Sequence, residues 1–387
     1  MTRPPIVVLG AMTRYPVAGI VWLTMQYVLG FRRLGYDCYY VESHGGTPRP
    51  FVDDGDDGAR GAAAFLDGLM RRFDLSDRWA YQVVHGNRRC YGLSDDALDR
   101  LYGSAALILN LHGATVPQHE HAATGRLVYM GTDPVLLEVQ LHEGSPQAHA
   151  LLEPHAAFFT WAANHGAPDC RLPVVNGFAF QPSRQPVVMD LWQRNADARL
   201  DRFTTIAGWK QLWREISYDG ELYHWSKHYE FLKVIELPSR TREPFELALT
   251  SYDADDRALL EGYGWQVVDA EAVSGDLDAY RDYVCGSRAE FTVAKDQNVR
   301  LRTGWFSDRS AAYLAAGRPV VTQDTGFGST LPTGRGLFGF TGVDDAAAAV
   351  EAIAADYDRH ASAARAIAAD YFDHAVVLPA LLSACGV

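Results

Sequence analysis

Short apolar runs alternate with helical stretches along nearly the whole sequence, and that order restricts the possible folds more than any other feature. Residues 5–10 read as a strand, residues 19–34 are apolar enough for a buried helix ending at Gly35, and residues 36–42 form a second strand. A strand, a crossing helix and a second strand make a βαβ unit, and its loop at 11–18 then lies at the carboxyl end of the first strand. The alternation continues through an amphipathic helix at 62–73 and strands at 105–111, 126–130 and 158–161. Runs of Val, Ile and Leu suit strands covered on both faces, so an α/β protein with parallel sheets is expected.

The stretch Phe180-Gln181-Pro182-Ser183-Arg184-Gln185-Pro186 places two prolines in polar surroundings and reads as a hinge. Beyond it the alternation resumes, with strands at 203–207, 245–249 and 265–268, helices at 223–237 and 254–262, and alanine-rich helices within 345–371. A chain of 387 residues is too long for one typical core. The expected division is 1–181, 182–370, and a terminal segment 371–387 packing back on the first part. Two α/β domains would then face each other across a cleft lined by strand-end loops.

The formal charge of -13, from 35 basic and 48 acidic side chains, excludes a broad nucleic-acid or anionic-membrane surface. A local basic pocket is compatible with it. The five cysteines are scattered without a C-x-x-C pair, which suits thiols in a reducing cytoplasm. No apolar stretch reaches the roughly twenty residues of a membrane span, and the first apolar run is too short for a signal peptide. The acidic run at 53–57 reads as a surface loop, and His224 and His228, four apart on an expected helix, lack a third ligand, so no metal site is expected.

Residues 304–328 concentrate the ligand-binding signals. Ser307 and Asp308 are N-cap types, residues 310–316 read as a buried helix stopping at Gly317, and Arg318-Pro319-Val320-Val321-Thr322 reads as an inner strand. Gln323-Asp324-Thr325-Gly326 follows at the strand end. With Gly35-Tyr36-Asp37 in the first βαβ unit and the run from Ser287 to Lys295, this segment resembles the GT-B glycosyltransferases of the group-1 type. The resemblance implies two Rossmann-like domains, an acceptor side formed by the first and a nucleotide-sugar donor site formed mainly by the second. It also implies a donor used as co-substrate, with no further cofactor and no bound metal. Many retaining members carry a glutamate where this chain has Ala311, Ala312 and Tyr313, so that ribose contact does not carry over.

A donor diphosphate needs hydrogen-bond donors and positive charge. Ser307, Asp308, Arg309 and Ser310 open a helix whose amino end could supply both, although Arg309 could equally pair with a carboxylate. Lys227 is the preferred lysine, ahead of Lys210. Gln323, Asp324 and Thr325 have the chemistry to hold sugar hydroxyls, or to form an ordinary turn. Glu290 could hold a ribose or position Arg288. On the acceptor side His112 and Asp133, both at strand ends, are candidate bases, and Asp133 before Pro134 could instead be a helix cap. The expected partners are a nucleoside-diphosphate sugar and a small acceptor, with neither membrane nor nucleic acid involved. A sugar-nucleotide epimerase and a non-catalytic sugar or nucleotide binder are the competing readings.

Overall fold

The computed structural model describes residues 3–53, 57–84, 86, 88–193 and 201–387; residues 54–56 of the acidic run lie outside them. The first series of apolar runs forms one sheet from β1 (Ile6–Leu9), β2 (Cys38–Glu42), β3 (Trp79–Gln82), β4 (Cys90–Gly92), β5 (Leu107–Leu111), β6 (Leu127–Gly131), β7 (Ala157–Thr160) and β8 (Phe180–Pro182). Their order is β4-β3-β2-β1-β5-β6-β7-β8, and every pairing is parallel except β3 with β4. Ile6 faces Cys38 on one side and Leu107 on the other, so the strand order reverses between β1 and β5. Loops diverge at such a reversal and leave a crevice at the carboxyl ends of the strands.

The second half begins with β9 (Phe203–Gly208), continues through a hairpin of β10 (Ile216–Tyr218) and β11 (Glu221–Tyr223), and adds β12 (Phe245–Thr250), β13 (Gln266–Asp269), β14 (Ala289–Thr292), β15 (Val320–Gln323) and β16 (Leu337–Phe340). Apart from the hairpin these strands form a parallel sheet in the order β13-β12-β9-β14-β15-β16, which reverses between β9 and β14. Two Rossmann-like domains result.

The expected helix at 223–237 is replaced by β11, a short helix at His228–Leu232 and another at Leu237–Arg240. Asp219 and Gly220 both take positive φ, 52° and 74°, as a two-residue hairpin turn requires. His224 and His228 therefore share no helix face. His224 bonds Glu215 at 2.8 Å and His228 bonds Ser226 at 2.7 Å.

One apolar cluster runs across the domain boundary. The helix Ala18–Arg33 buries Trp22, Tyr27, Val28 and Phe31 in the same cluster as Leu277, Tyr280 and Val284 of the helix Leu277–Gly286, and as Ala311 to Ala316. The indole of Trp22 donates to the Leu277 carbonyl at 2.9 Å. Residues past 371 lie on that first-domain helix: a Cβ at Gly30 would stand 2.6 Å from Leu378 and 3.0 Å from His374, so only glycine lets the helix His374–Ala384 approach. The chain passes between the sheets beside this contact, where Val187 donates to Phe372 O at 2.7 Å and accepts from His374 N at 2.9 Å. The hairpin adds a second bridge, because Ile216 and Tyr223 pack with Val135, Val139, Ala162 and Leu172 of the first domain.

Candidate functional site

On the first-domain side, the loop after β1 is held by a buried carboxylate. Glu42, at the end of β2, accepts from Thr13 N at 3.0 Å, from Tyr40 Oη at 2.6 Å, from the Thr13 hydroxyl, and from His44 Nε2 at 2.9 Å. His44 Nδ1 accepts from Gly46 N at 3.0 Å, which assigns the proton to Nε2 and leaves the ring neutral. Its donors come from the loop after β1, from within β2 and from the residues that follow β2, so the carboxylate ties that loop to the second strand.

His112 follows β5 with φ of +62°, an uncommon conformation for a residue with a side chain. Its Nδ1 lies 2.6 Å from Thr132 Oγ1, and its buried Nε2 has no hydrogen-bond partner among the described residues. Burial lowers its pKa to about 4, so the ring is neutral at pH 7. Asp133 sits in the turn after β6. Two residues on, Val135 has φ of +106°, and its N–H is held by Glu138 at 2.8 Å. A β-branched residue in that region stores on the order of 1–3 kcal/mol of strain, and such strain gathers where a side chain must be aimed. Asp133 is aimed across the domain boundary. Both its carboxylate oxygens accept from Lys295 Nζ, at 2.8 and 2.6 Å.

On the second-domain side, Lys227 follows the hairpin and immediately precedes the helix His228–Leu232. Its ammonium has no hydrogen bond or ion pair among the described residues. Burial, then the nearby charges of Arg309 and Lys295, lower its pKa to about 7, with Glu290 and Asp308 opposing. Lys295 lies three residues past the end of β14 and sits 3.0 Å above the indole of Trp225, a cation–π contact. Burial lowers its pKa to about 8, against the pull of Asp133. The guanidinium of Arg214 also stacks on Trp225, at 4.6 Å. Positive charge therefore accumulates around Trp225 and Lys227.

Arg309 is spent within its own domain. It donates to Glu290 Oε1 at 2.6 Å, to Ile206 O at 2.7 Å and to Thr292 Oγ1 at 3.0 Å. Burial would lower its pKa, yet the Glu290 carboxylate raises it. Glu290 is fully buried and serves Arg309 rather than the expected Arg288, whose guanidinium pairs with Glu243 at 2.8 Å.

The other residues singled out from the sequence are placed less openly. Ser307 precedes the helix Asp308–Ala315 without a side-chain cap, and Gln185 of the crossing segment donates to its carbonyl at 3.0 Å. Asp308 lies in the seam with Trp22, Gln26 and Tyr280, and burial raises its pKa against the pull of Arg309 and of its own helix N–H groups. Ser310 Oγ is buried with no partner. Gln323 accepts from Ala294 N at 3.3 Å and donates to Glu230 at 2.6 Å. Asp324 accepts from Gly326 N at 2.8 Å, and Thr325 donates to Trp305 O at 2.7 Å. Asn164 of the first domain donates to Gly326 O at 2.9 Å, so this turn borders the domain junction. Lys210 pairs with Asp253 and Asp256 on the surface.

The structure thus brings Lys227, Arg309 and Glu290 into one cluster and sets Asp133 opposite it on Lys295, with His112 bonded to Thr132 next to Asp133. Sequence reasoning missed Lys295, Trp225, Thr132 and Trp305, whose indole donates to Thr132 O at 3.1 Å across the boundary. Lys295 lies in the loop just past β14, as Asp133 lies just past β6, and the same positional rule would have marked it. Among the described residues no group of three or more His, Cys, Asp or Glu side chains is arranged to hold a metal ion, and no helix is long and apolar enough to cross a membrane.

Two Rossmann-like domains meeting at their strand-end loops are the architecture of GT-B glycosyltransferases, and the chain has that fold. The α-glucosyltransferase in complex with UDP and a 13-mer DNA aligns with a TM-score of 0.59 at 10% identity, covering 99% of this chain and 100% of the other. HepE of Anabaena in complex with UDP and glucose gives 0.57 at 14%, over 99% and 100%. AviGT4, a glycosyltransferase involved in avilamycin A biosynthesis, gives 0.56 at 12%, over 99% and 97%. No protein-family model matches the chain, and no curated protein matches it significantly in sequence. At these identities the likeness is one of fold.

Proposed function

We propose that the chain is a glycosyltransferase that moves a sugar from a nucleoside-diphosphate donor to a hydroxyl of a small acceptor, without a bound metal. The observation that carries this reading is the unpaired ammonium of Lys227 beside Lys295 and Arg309 at the sheet's reversal point. Lys227 is half-buried, and an uncompensated positive charge partly withdrawn from water is costly, so an arriving diphosphate would neutralise it. Solved proteins of the same fold hold UDP, which suits such a pocket.

In this reading residues 182–370 bind the donor, residues 1–181 receive the acceptor, and 371–387 belong with the first half. Lys227 contacts the diphosphate and stabilises it as a leaving group. Arg309 and Glu290 act indirectly, by holding β9, β14 and the helix Asp308–Ala315 in register behind Lys227. The Gln323 to Gly326 turn borders the sugar, with Thr325 and Asp324 fixing its shape. Asp133 faces the donor from the opposite wall and serves as general base toward the acceptor hydroxyl. His112, neutral with an unpartnered Nε2, hydrogen-bonds a substrate hydroxyl. The acidic surface disfavours a polyanionic acceptor.

The test is a panel of nucleotide sugars incubated with the folded protein, with and without a library of hydroxylated acceptors. Donor-dependent glycosylation is expected. Conversion of donor to a changed sugar without acceptor would replace this reading with an epimerase, and the absence of binding to every donor would overturn it.

A further inference from the structure

An ion pair between Lys295 and Asp133 joins the two domains at the proposed donor pocket, apart from the more exposed pair of Arg302 with Asp169. Lys295 Nζ lies 2.6 and 2.8 Å from the two Asp133 oxygens. The pair is lopsided: the Lys295 side chain is 11% exposed, packed on Trp225, whereas the Asp133 side chain is 35% exposed at the mouth of the cleft. Trp225 is two residues from Lys227, and the charge of Lys295 is among those that depress the Lys227 ammonium. An anion bound by Lys227 therefore arrives beside Lys295. Of the cations in the cluster, Arg309 already serves three acceptors inside its own domain, and Arg214 is exposed. Lys295 is the one whose partner could leave for water, because a carboxylate that is one-third exposed can be rehydrated at small cost.

We propose that Asp133 occupies, on Lys295, the position that a donor phosphate oxygen takes, so that donor binding exchanges one anion for another and releases the Asp133 carboxylate into the cleft. The proposal rests on the nucleotide-sugar reading and extends it with a second phosphate-binding residue and an order of events. While the cleft lacks a donor, Asp133 is held by Lys295. Once the diphosphate takes over the ammonium, the carboxylate faces whatever hydroxyl lies above the sugar. A base released only by its co-substrate cannot activate water beforehand.

The exchange has a signature that a purely structural clasp lacks. A site blocked by its own carboxylate loses affinity in proportion to the blocked fraction, so a pair formed roughly nine-tenths of the time weakens donor binding about tenfold. Binding of UDP, dTDP, GDP and ADP is measured by calorimetry on the native chain, D133N, K295M and D133N/K295M, with folding of each followed by thermal unfolding. D133N is expected to bind the preferred nucleotide about three- to tenfold more tightly, and K295M at least about tenfold more weakly. In the K295M background, D133N should then have no further effect, because the competition runs through Lys295.

Equal tightening by D133N with and without Lys295 would reduce the effect to general repulsion of anions by Asp133 and would overturn the exchange. Unchanged or weaker binding by D133N, in a protein that does bind a nucleotide, would make the pair a domain clasp and also overturn it. If neither the native chain nor D133N binds any of the four nucleotides while folded, the donor reading itself falls, and the exchange falls with it.

Discussion

A nucleotide-sugar diphosphate carries a constant charge between pH 7 and 9, so the pH dependence of its binding over that range reports the protein. Lys227 is displaced from the ordinary lysine value of 10.5 to about 7 by burial and by the neighbouring charges of Arg309 and Lys295, against Glu290 and Asp308. Binding needs the protonated ammonium. With a free-state pKa of about 7, the fraction protonated is one half at pH 7 and one part in about a hundred at pH 9. If the bound diphosphate holds the proton throughout, the dissociation constant rises about 50-fold over those two pH units through Lys227 alone. K227M should bind about 10- to 100-fold more weakly at pH 7, the loss of one charge-assisted contact, and its remaining pH dependence should be flatter by that 50-fold factor. Lys295 titrates in both proteins, so the comparison isolates Lys227.

Stability should move the other way. The folded pKa lies below the unfolded one, so between about pH 7 and 10.5 the unfolded chain binds more protons and stability rises with pH; below pH 7 the penalty is fully present. K227M removes that penalty, and at pH 7 it should be more stable by something on the order of 2–4 kcal/mol. Calorimetric titration and thermal unfolding from pH 6.5 to 9 measure both effects. Parallel binding curves for native and K227M, or a less stable K227M, would show that Lys227 is not an unpaired, partly desolvated charge in the pocket.

Other consequences follow from single contacts. E42A leaves Thr13 N, Tyr40 Oη and the His44 Nε2 proton without their buried acceptor; a loss of about 3–5 kcal/mol in chemical denaturation is expected, and a loss within 1 kcal/mol would contradict the role of this carboxylate. G113A sets a Cβ 2.6 Å from the Tyr129 ring at a φ of +58°; it should cost on the order of 2–3 kcal/mol and misplace His112, seen as lower turnover with little change in donor affinity. Because burial lowers His112 to about 4, no step in activity between pH 5.5 and 7 should vanish in H112N; a step that does vanish would assign a titrating role to that ring. G220A, at φ +74°, should loosen the hairpin by about 1 kcal/mol and weaken donor binding through Trp225 and Lys227, whereas an unchanged affinity would uncouple the hairpin from the pocket.

Several inner strands could be read from the sequence because each is a short apolar run bounded by a glycine or a polar strand end, as at 6–9, 107–111 and 320–323, whereas the inner strand at 79–82 carries no such run and the strand at 180–182 lies in the stretch read as a hinge. The hairpin was less legible. Its strands are three residues each, and the density of apolar residues around Tyr223, Trp225 and Phe231 mimics a helix period, although Asp219-Gly220 marks the turn. Within the proposed site, residue type singled out Lys227 and Glu290, an expected helix start Arg309, and strand-end position Asp133. Which of these charges is spent and which is free depends on partners far apart in the chain. Arg309 meets Glu290 and Ile206, while Lys295 meets an aspartate 162 residues away. No local pattern encodes such pairings.

The rungs that tie Val187 to Phe372 and His374 have a mechanical meaning. Two lengths of backbone laced side by side form a two-ply ribbon, stiff against stretching and yielding chiefly to torsion. Relative motion of the lobes would then be a screw about that ribbon. A protein shortened before residue 372 would lose one ply and the helical buttress beyond it, and damage at the far end of the polypeptide would first be felt in the lobe that was made first.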